Sequence, residues 1–397
     1  MAVTTDPGAL VGLRHDERTR ALFEYFEARA PERAGPSRQP GVFEVFGYDE
    51  AVQVLNDHGT YSNDFSGLIP ADQAQLALVA RGNLAGTDPP RHNLLRALVN
   101  QAFTPRIINK LEPWIAGLAK DLAERALEGG DADIVRDVAS PLSASVIAEL
   151  FAVPREDQRM FWGWSDQLLG ARPDGALGVP DETAVKRRAA LVREAGGYLL
   201  GHISRLRKNP GDDLTSALTR ADVDGQALSD EEIMGVIGMF LIAGHLPTSL
   251  LIGNTVMCLD EHPDAAFDES AIDEVLRWRP PLIRDQRITT TEAKLGEHVV
   301  PARTMVVVWV AAANRDPRHF ADPARFDAGR RPNRHLTMGR GIHYCIGAPL
   351  ARLETGVMVR TLLERCAAIE IDRDGVEFHR SIGMLGPVKL PARLTAR

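Results

Sequence analysis

Cys345 is the residue whose surroundings are most specific for chemistry. It lies among Gly339, Gly341 and Gly347 in a stretch that reads MGRGIHYCIGAPLARLE, residues 338–354. The glycines allow a tight turn and the close approach of a flat partner, and a helical pattern begins directly after the cysteine. A helix N-terminus favours a thiolate over a thiol. Without a zinc-spaced partner cysteine, such a thiolate suits the single axial position on a haem iron.

The other cysteines lack such surroundings. Cys258 and Cys366 lie in apolar helical patterns, where a cysteine packs as a small hydrophobe. That is also the alternative for Cys345, but the length of its local pattern disfavours it. An odd total of three cysteines indicates a reducing compartment and excludes a disulfide framework. It is also fewer than the four thiolates that an iron–sulfur cluster usually needs.

The bulk composition disfavours several classes of protein. The 397 residues carry 54 acidic and 46 basic side chains, a net charge of −8, and 44% are apolar. Nucleic-acid binding would favour a basic stripe instead. The N-terminus shows no basic segment followed by an apolar one, as a signal peptide would. The apolar run at 234–244 is far shorter than the ~20 residues of a membrane helix. We therefore expect a soluble cytoplasmic protein that binds neither nucleic acid nor membrane.

Helical periodicity dominates residues 50–280. Apolar positions recur at three- and four-residue spacing in Tyr48–Asn56, 90–103, 107–127 and 140–151. A capping box, with Ser229 at the N-cap and Glu232 three residues later, begins a long apolar helix at about 230–259. A shorter helix follows at Glu269–Trp278 and ends at two prolines.

Strand signals are short and concentrated late in the chain. Alternating and β-branched stretches predict strands at 42–46, 305–310, 368–371, 376–379 and 388–394. The first of these is expected to pair with later ones. The fold class is therefore mainly α with a small, mostly antiparallel β portion.

The chain is expected to form one domain over 1–397. Its helix-rich body would comprise about 50–280 and 345–366, and its β-rich parts about 40–60, 285–312 and 368–395. The Gly- and Pro-rich segment 170–181 predicts a loop between two helices rather than a domain boundary.

Several motifs resemble one family. The pattern G-x-G-x-H-x-C-x-G around Cys345 is similar to the haem-ligand loop of the cytochrome P450 family. AANRDP (312–317) and DPPRHNLLRALVNQAF (88–103) resemble two further segments of that family. The resemblance covers nearly the whole chain. It implies the P450 fold, with haem b held between the long central helix and the helix that follows Cys345.

A structural ion network is also implied. Glu274 and Arg277 resemble the E-x-x-R motif of the family, whose pair meets a later arginine, here Arg330. Without the resemblance, the pair would be an ordinary i,i+3 surface contact.

The resemblance further implies which residues hold the haem. Cys345 would be the metal ligand. His92 and Arg96 are four apart and share a helix face; with Arg287 and His343 they would bind the propionates through charge-assisted hydrogen bonds. Met338 stands where the family usually has an aromatic residue. The predicted cofactor-binding set is His92, Arg96, Arg287, Met338, Gly339, His343, Cys345 and Gly347.

The central helix departs from the family where oxygen would bind. Ala243 and Gly244 align with an A-G-x-acid-alcohol segment, but Leu246 and Pro247 occupy the positions of the acid and the alcohol. Thr248 comes one position late, about 100° round the helix. Neither the leucine nor the proline side chain relays a proton.

Pro247 suggests that a backbone group, and not a side chain, contributes to proton delivery. It removes the backbone hydrogen bond to the carbonyl of Ala243, which widens a helix at a cost of roughly 3 kcal/mol in its interior. We expect the freed carbonyl to hold a water or a substrate hydroxyl beside the iron; a tolerated kink is the alternative. The predicted catalytic set is Ala243, Gly244, Pro247 and Thr248.

The implied activity is that of a haem-thiolate monooxygenase. It would hydroxylate or epoxidise a lipophilic small molecule with dioxygen. One alternative within the fold is a peroxide-driven enzyme, or one that couples phenols or closes a ring by one-electron steps, where proton relay matters less. A haem-binding protein without turnover is the alternative from another class.

The resemblance places the pocket walls at 65–69, 170–181, 282–283 and 382–385. These are largely aliphatic, which suits a medium to large lipophilic substrate, and the family suggests a secondary metabolite such as a polyketide or macrolide. Arg284 and His245 are the possible polar exceptions, and His245 is equally explained as a packed helix residue. The predicted pocket residues are Phe65, Ile69, Leu246, Leu282, Ile283, Met384 and Leu385.

A separate electron donor is expected. No dinucleotide-binding fingerprint follows a predicted strand, so electrons would come from a ferredoxin or flavodoxin with its reductase. Arg340, between two glycines of the cysteine loop, suits an acidic donor, and is equally explained as an exposed arginine. The protein is expected to be a monomer.

Overall fold

The computed structural model describes residues 15–65, 82–170 and 182–397. Within these ranges the helices are α1 (His15–Arg29), α2 (Tyr48–Asn56), α3 (Arg91–Ala102), α4 (Pro105–Gly129), α5 (Ser140–Leu150), α6 (Gln158–Gly170), α7 (Glu182–Lys208), α8 (Leu214–Arg220), α9 (Asp230–Glu261), α10 (Glu269–Trp278), α11 (Val310–Ala313) and α12 (Ala348–Arg365). The strands are β1 (Ala34–Pro36), β2 (Val42–Val45), β3 (Tyr61–Ser62), β4 (Asp131–Asp133), β5 (Asp222–Val223), β6 (Gln226–Ala227), β7 (Asp285–Thr289), β8 (Ala293–Leu295), β9 (His298–Val300), β10 (Met305–Val308), β11 (Cys366–Ile371), β12 (Glu377–Phe378), β13 (Pro387–Lys389) and β14 (Pro391–Ala396). The predicted fold class, mainly α with a small β portion, is confirmed.

The helix boundaries follow local capping signals. The capping box of α9 is present, with Ser229 and Glu232 each hydrogen-bonded to the other's backbone N–H. Asp268 caps α10 through the N–H of Ser270 at 2.7 Å. Thr104 caps α4, whose first residue, Pro105, has the backbone angle that a first turn requires.

Helix α9 is the centre of the helical body. It packs against α5, α7 and α12, and its side chains contribute to the largest hydrophobic cluster. By length and composition it could cross a membrane, but 61% of its most apolar window is buried inside the fold. We therefore interpret α9 as a core helix.

The largest sheet has the strand order β1-β2-β10-β7-β3. The predicted pairing of the early strand with a later one is found between β2 and β10, which run parallel, with Val42 opposite Met305. The other pairings in this sheet are antiparallel. A second sheet, β11-β14-β4, joins the chain's C-terminal part to the end of α4.

Several predicted boundaries were wrong for identifiable reasons. The strand predicted at 305–310 ends at Val308, because Trp309 is the N-cap of α11. The strand predicted at 388–394 is divided at Leu390, whose N–H donates to the carboxylate of Asp133 at 2.9 Å. The predicted strand at 376–379 is reduced to β12. Cys366 begins β11 instead of lying on a helix.

Other predictions concern regions rather than single boundaries. The part near 40–60 that was expected to be β-rich contains α2 between its strands. Strand β4 was missed because two of its three residues are aspartates, which strands disfavour. The predicted loop 170–181 lies outside the described residues, apart from Gly170 at the end of α6.

Candidate functional site

The cysteine loop is a tight turn that ends at the N-terminus of α12. The N–H of Cys345 donates to the carbonyl of Met338 at 2.8 Å, which closes the loop. Gly339 and Gly341 have φ of 71° and 66°, values that strain other residues. A Cβ on Gly341 would also lie 3.0 Å from the carbonyl oxygen of Leu55. These two glycines are therefore required by backbone shape and by close packing.

The protonation of Cys345 differs from the prediction. Burial raises the pKa of its thiol, so desolvation outweighs the groups that favour the thiolate. The N–H groups of Gly347 and Ala348 act in the predicted direction, as does the charge of Arg96. Because a coordinating metal ion deprotonates a thiol outright, a thiolate here depends on a bound metal and not on the helix terminus alone.

Two imidazoles and two arginines meet beside this loop. His92 and Arg96 lie on α3, Arg287 lies on β7, and His343 lies in the cysteine loop. The rings of His92 and His343 are 4.4 Å apart between centroids. The Nε2 atom of each is buried and has no hydrogen-bond partner among the described residues.

The charges of this cluster suit an anionic ligand. Burial lowers the pKa of His92. Burial, with the charges of His92 and Arg287, lowers the pKa of His343 to about 4. Both imidazoles are therefore neutral near pH 7. In the tautomer protonated at Nε2, each presents an N–H to the site, and the arginines supply the positive charge. Two unpartnered donors and two cations next to a lone cysteine fit a haem with its propionates at this cluster.

Two carboxylates belong to the same region and were not predicted. Asp88 accepts hydrogen bonds from the hydroxyl of Ser62 and, at 3.1 Å, from the N–H of Asn63. One of its oxygens is 3.7 Å from Nε2 of His343. Asp285 accepts from Arg287 at 2.7 Å. The sequence could have indicated both aspartates, because each lies within four residues of a residue that was predicted to bind the propionates.

An apolar face of α9 remains partly open in the middle of the fold. Met239, Ile242, Ala243, Leu246 and Pro247 recur at helical spacing and are half-buried or, for Ala243, exposed. In contrast, most of the helix is buried. Helix α9 continues through Pro247 without a break. This face carries no acid and no alcohol, as the sequence indicated.

Other predicted residues of α9 point elsewhere. A Cβ on Gly244 would lie 2.5 Å from Cδ1 of Ile147, so the glycine permits close packing against α5. His245 is buried, and its Nε2 lies 2.9 Å from the hydroxyl of Ser140, which supports the packed-residue alternative for it. Thr248 is also buried. Catalytic roles for Gly244 and Thr248 stay predictions, and the packing accounts for the glycine without one.

The predicted pocket residues divide into two groups. Leu246 and Met384 belong to one hydrophobic cluster, and Met384 forms a β-bridge with Leu282. Leu282 is 39% exposed, and its role as a pocket wall stays a prediction. Ile283 and Leu385 are both buried in a separate cluster, and their role as pocket residues stays a prediction.

The earlier part of the predicted pocket is only partly covered. Phe65 is half-buried at the end of a described segment. Ile69 and the predicted wall at 171–181 lie outside the described residues.

The predicted ion network is assembled behind the cysteine loop. Glu274 and Arg277 are fully buried and form two hydrogen bonds of 2.7 and 2.8 Å. Arg330 donates to the same carboxylate at 3.1 Å, and so does Asn333. Arg277 also donates to three backbone carbonyls. The buried carboxylate is thus neutralised and fully hydrogen-bonded, which a buried charge requires.

The face below the cysteine is accessible. Arg340 is exposed, and Tyr344, next to Cys345, is 42% exposed. A cation and an aromatic ring are therefore both exposed next to the cysteine in sequence.

The comparisons with known proteins agree with this geometry. Residues 266–385 match the sequence model of the family described as Cytochrome P450. The chain is 39% identical over 357 residues to cyclomarin C epoxidase CymV of Salinispora arenicola, a match that covers 88% of this chain and 89% of that protein. It is 38% identical over 344 residues to erythromycin C-12 hydroxylase of Saccharopolyspora erythraea, covering 84% of each. Among solved structures, the open cytochrome P450 EryK from S. erythraea has a TM-score of 0.85 at 36% identity and covers 96% of both chains.

Proposed function

The chain belongs to the cytochrome P450 family and is a haem b-dependent monooxygenase, and from this premise we propose that it hydroxylates or epoxidises a lipophilic secondary metabolite. Relatives named for such reactions act on cyclomarin C and on erythromycin. The substrate class of this chain is inferred from them and from its own pocket. The observation that carries the assignment is the pair of buried, unpartnered imidazole nitrogens beside the loop of Cys345.

We propose Cys345 as the iron ligand. When bound, a thiolate-ligated haem supplies the activation of dioxygen and the insertion of one oxygen atom into the substrate. The protein contributes the sulfur and a loop that Gly339 and Gly341 allow to close tightly around it. Cys258 and Cys366 are buried in hydrophobic clusters on other elements, so neither competes for this role.

The propionates would be held by the cluster of His92, Arg96, Arg287 and His343. Charge-assisted hydrogen bonds from imidazole N–H and guanidinium groups are the strong kind available in a protein. The two orphaned Nε2 atoms each gain an acceptor when a carboxylate binds. That gain contributes to holding the cofactor and to rigidity of the cysteine loop.

Proton delivery is proposed to involve backbone and water. The side chains of Leu246 and Pro247 carry no exchangeable proton, and Thr248 is buried. Pro247 has no N–H to donate to the carbonyl of Ala243, and Ala243 is exposed on the open face. A carbonyl without its helical donor accepts a hydrogen bond from water or from a substrate hydroxyl, which positions a proton donor on this face.

The same absence of an acid–alcohol pair is the observation that favours a second function. In a peroxide-driven or one-electron coupling reaction, the oxidant carries its own protons or needs fewer of them. Comparing product formed with peroxide and product formed with a ferredoxin system distinguishes the two. We expect the ferredoxin system to support the faster turnover.

The substrate pocket is proposed to lie between α9 and the segment that joins β12 to β13. Leu246, Leu282 and Met384 line it with aliphatic surface, and burial of such surface contributes about 25 cal/mol per Å² of apolar area. A medium to large apolar molecule suits this lining better than a small polar one.

Electrons are proposed to come from a separate ferredoxin or flavodoxin with its reductase. The exposed Arg340 and Tyr344 lie on the face nearest the proposed ligand. Electrostatic complementarity with an acidic partner would increase the association rate. We also propose a single domain, a monomeric state and a cytoplasmic location.

A ligand screen tests the proposed function. The ferric protein is titrated with polyketide, macrolide and peptide compounds, and the haem spin state is followed by absorbance. We expect lipophilic secondary metabolites to displace iron-bound water and shift the spectrum, and at least one to be oxygenated with a ferredoxin system. If only small polar molecules bind, or if no bound compound gains oxygen, the proposal is wrong.

A further inference from the structure

Arg352 lies over the first turn of α12, beside the proposed iron ligand. It is two turns after Cys345, and its Nη1 atom is 3.5 Å from the carbonyl oxygen of Ala348. Its side chain is 29% exposed. The N–H of Ala348 in turn donates to the carbonyl of Cys345 at 3.4 Å, so the guanidinium lies over the turn that connects the cysteine to α12. The sequence analysis assigned no role to this arginine.

Asp273 fixes that arginine from a neighbouring helix. On α10, it accepts a hydrogen bond from Nε of Arg352 at 2.9 Å. His335, with a side chain that is 4% exposed, contacts the same oxygen at 3.4 Å. Although burial raises the pKa of Asp273, its contacts with His335 and Arg352 outweigh that effect and lower the pKa overall. The carboxylate is therefore ionised and held from two sides.

Asp273 is distinct from the Glu274 network. Its neighbour Glu274 is fully buried and bonded to Arg277 and Arg330, whereas the side chain of Asp273 is 34% exposed. Its contacts run toward α12 and His335 instead. An arginine side chain has many rotamers, and the contact of Arg352 with the carbonyl of Ala348 is long, so the shorter hydrogen bond to Asp273 is a main constraint on its guanidinium.

We propose that Asp273 is a positioning residue that holds the guanidinium of Arg352 beside the sulfur of Cys345 and thereby raises the reduction potential of the haem iron. The proposal rests on the proposed role of Cys345 as the ligand. A positive charge near the sulfur stabilises the added electron, and partial burial reduces its screening by water. The Asp–Arg pair thus makes the first electron easier to accept.

Replacing Asp273 with asparagine tests the proposal through the direction in which the reduction potential of the haem changes. If the carboxylate acted only through its own charge, D273N would remove a negative charge and raise the potential. If it positions Arg352, D273N replaces a charge-assisted hydrogen bond with a weaker neutral one, the guanidinium is held less firmly, and the potential falls. Potentiometric titration with small mediators and optical detection measures this without any partner protein. We expect D273N to shift the potential downward; an unchanged or higher value overturns the proposal.

A double-mutant cycle keeps the test decisive. R352Q should lower the potential in the same direction, and D273N/R352Q should show no further drop, because the aspartate then has no cation to place. A clear further drop in the double variant contradicts the proposal. If D273N does not fold, R352Q decides alone, and an unchanged potential in R352Q contradicts the proposal. Asp131→Asn is the matched control, since its pair with Arg393 is 79% and 69% exposed; its potential should equal that of the wild type.

A failure of the proposal about Asp273 can be distinguished from a failure of the proposed function. If the wild-type protein binds haem without thiolate ligation, the proposed function itself fails. If thiolate ligation is present and D273N raises the potential, only the inference about Asp273 fails.

Discussion

The rings of His92 and His343 meet with their centroids 4.4 Å apart and their planes at 61°, although one lies on α3 and the other in the cysteine loop. Each has a buried Nε2 without a partner among the described residues. Such orphaned donors are costly unless a ligand satisfies them. The pair therefore indicates a site that is completed by an anionic group.

Removing either donor should weaken haem binding. His92→Phe and His343→Phe keep a ring in place but lose a hydrogen bond to a charged acceptor, a contact that contributes about 1.5–3 kcal/mol. We expect the haem dissociation constant to rise about ten- to a hundredfold for each, measured by transfer of haem to an apoprotein acceptor. His298→Gln, in the β8–β9 hairpin, should not change it. Unchanged affinity in both phenylalanine variants would remove the propionate assignment.

Restoring the missing backbone N–H donor in α9 should reduce the fraction of consumed electrons that end in product. Pro247→Ala returns the N–H that bonds the carbonyl of Ala243, so we expect the free energy of unfolding to rise by up to about 3 kcal/mol. With that carbonyl occupied, less product and more peroxide should form per electron pair. Both quantities are measured in a ferredoxin-driven assay with a compound that shifts the spin state.

Pro113→Ala is the matched control for that variant. Pro113 also lies inside a helix, α4, and its side chain is exposed. This variant should gain stability without any change in coupling. If P247A forms as much product per electron pair as the wild type, the freed carbonyl has no role in proton delivery.

Close packing at Gly244 should make it intolerant of a side chain. In Gly244→Ala, a Cβ would lie 2.5 Å from Cδ1 of Ile147, and overpacking of this kind costs about 1–3 kcal/mol. Gly238→Ala, in the same helix with no atom within 4 Å of its Cβ, should instead stabilise the protein by about 0.5–1 kcal/mol. Urea unfolding monitored by circular dichroism compares them. Ile147→Val should partly rescue G244A, and equal effects of both alanines would contradict the packing.

Neutralising the buried carboxylate should be severe. Glu274→Gln leaves Arg277 and Arg330 facing each other with no counter-charge, and breaking a buried pair costs about 3–5 kcal/mol. Asp131→Asn, which removes an exposed pair, should cost no more than about 1 kcal/mol. Chemical denaturation measures both. A loss below about 1 kcal/mol for E274Q would show that water or other groups satisfy the arginines.

Local patterns predicted much of the fold, because caps and periodicity act over a few residues. The capping box at Ser229 and the motif at Glu274 each placed an element correctly. What failed depends on contacts between distant segments. Strand β4 forms only because β14 lies beside it, and no local signal encodes that pairing.

The site shows the same division. The cysteine loop and the residues of α3 were found from motifs, but the directions of side chains were not. Leu282 and Ile283 are neighbours in sequence, yet Leu282 is 39% exposed and Ile283 is buried, because successive side chains of an extended segment point to opposite sides. The raised pKa of the Cys345 thiol was likewise missed, since burial is set by the whole fold and not by the helix that follows.

The ligation of iron by Cys345 is tested most directly by the absorbance of the reduced protein under carbon monoxide. We predict the red-shifted Soret band of thiolate ligation in the wild type, in Cys258→Ser and in Cys366→Ser, and its loss in Cys345→Ser. A haem-loaded wild type without that band, or a Cys345→Ser variant that keeps it, would contradict the account.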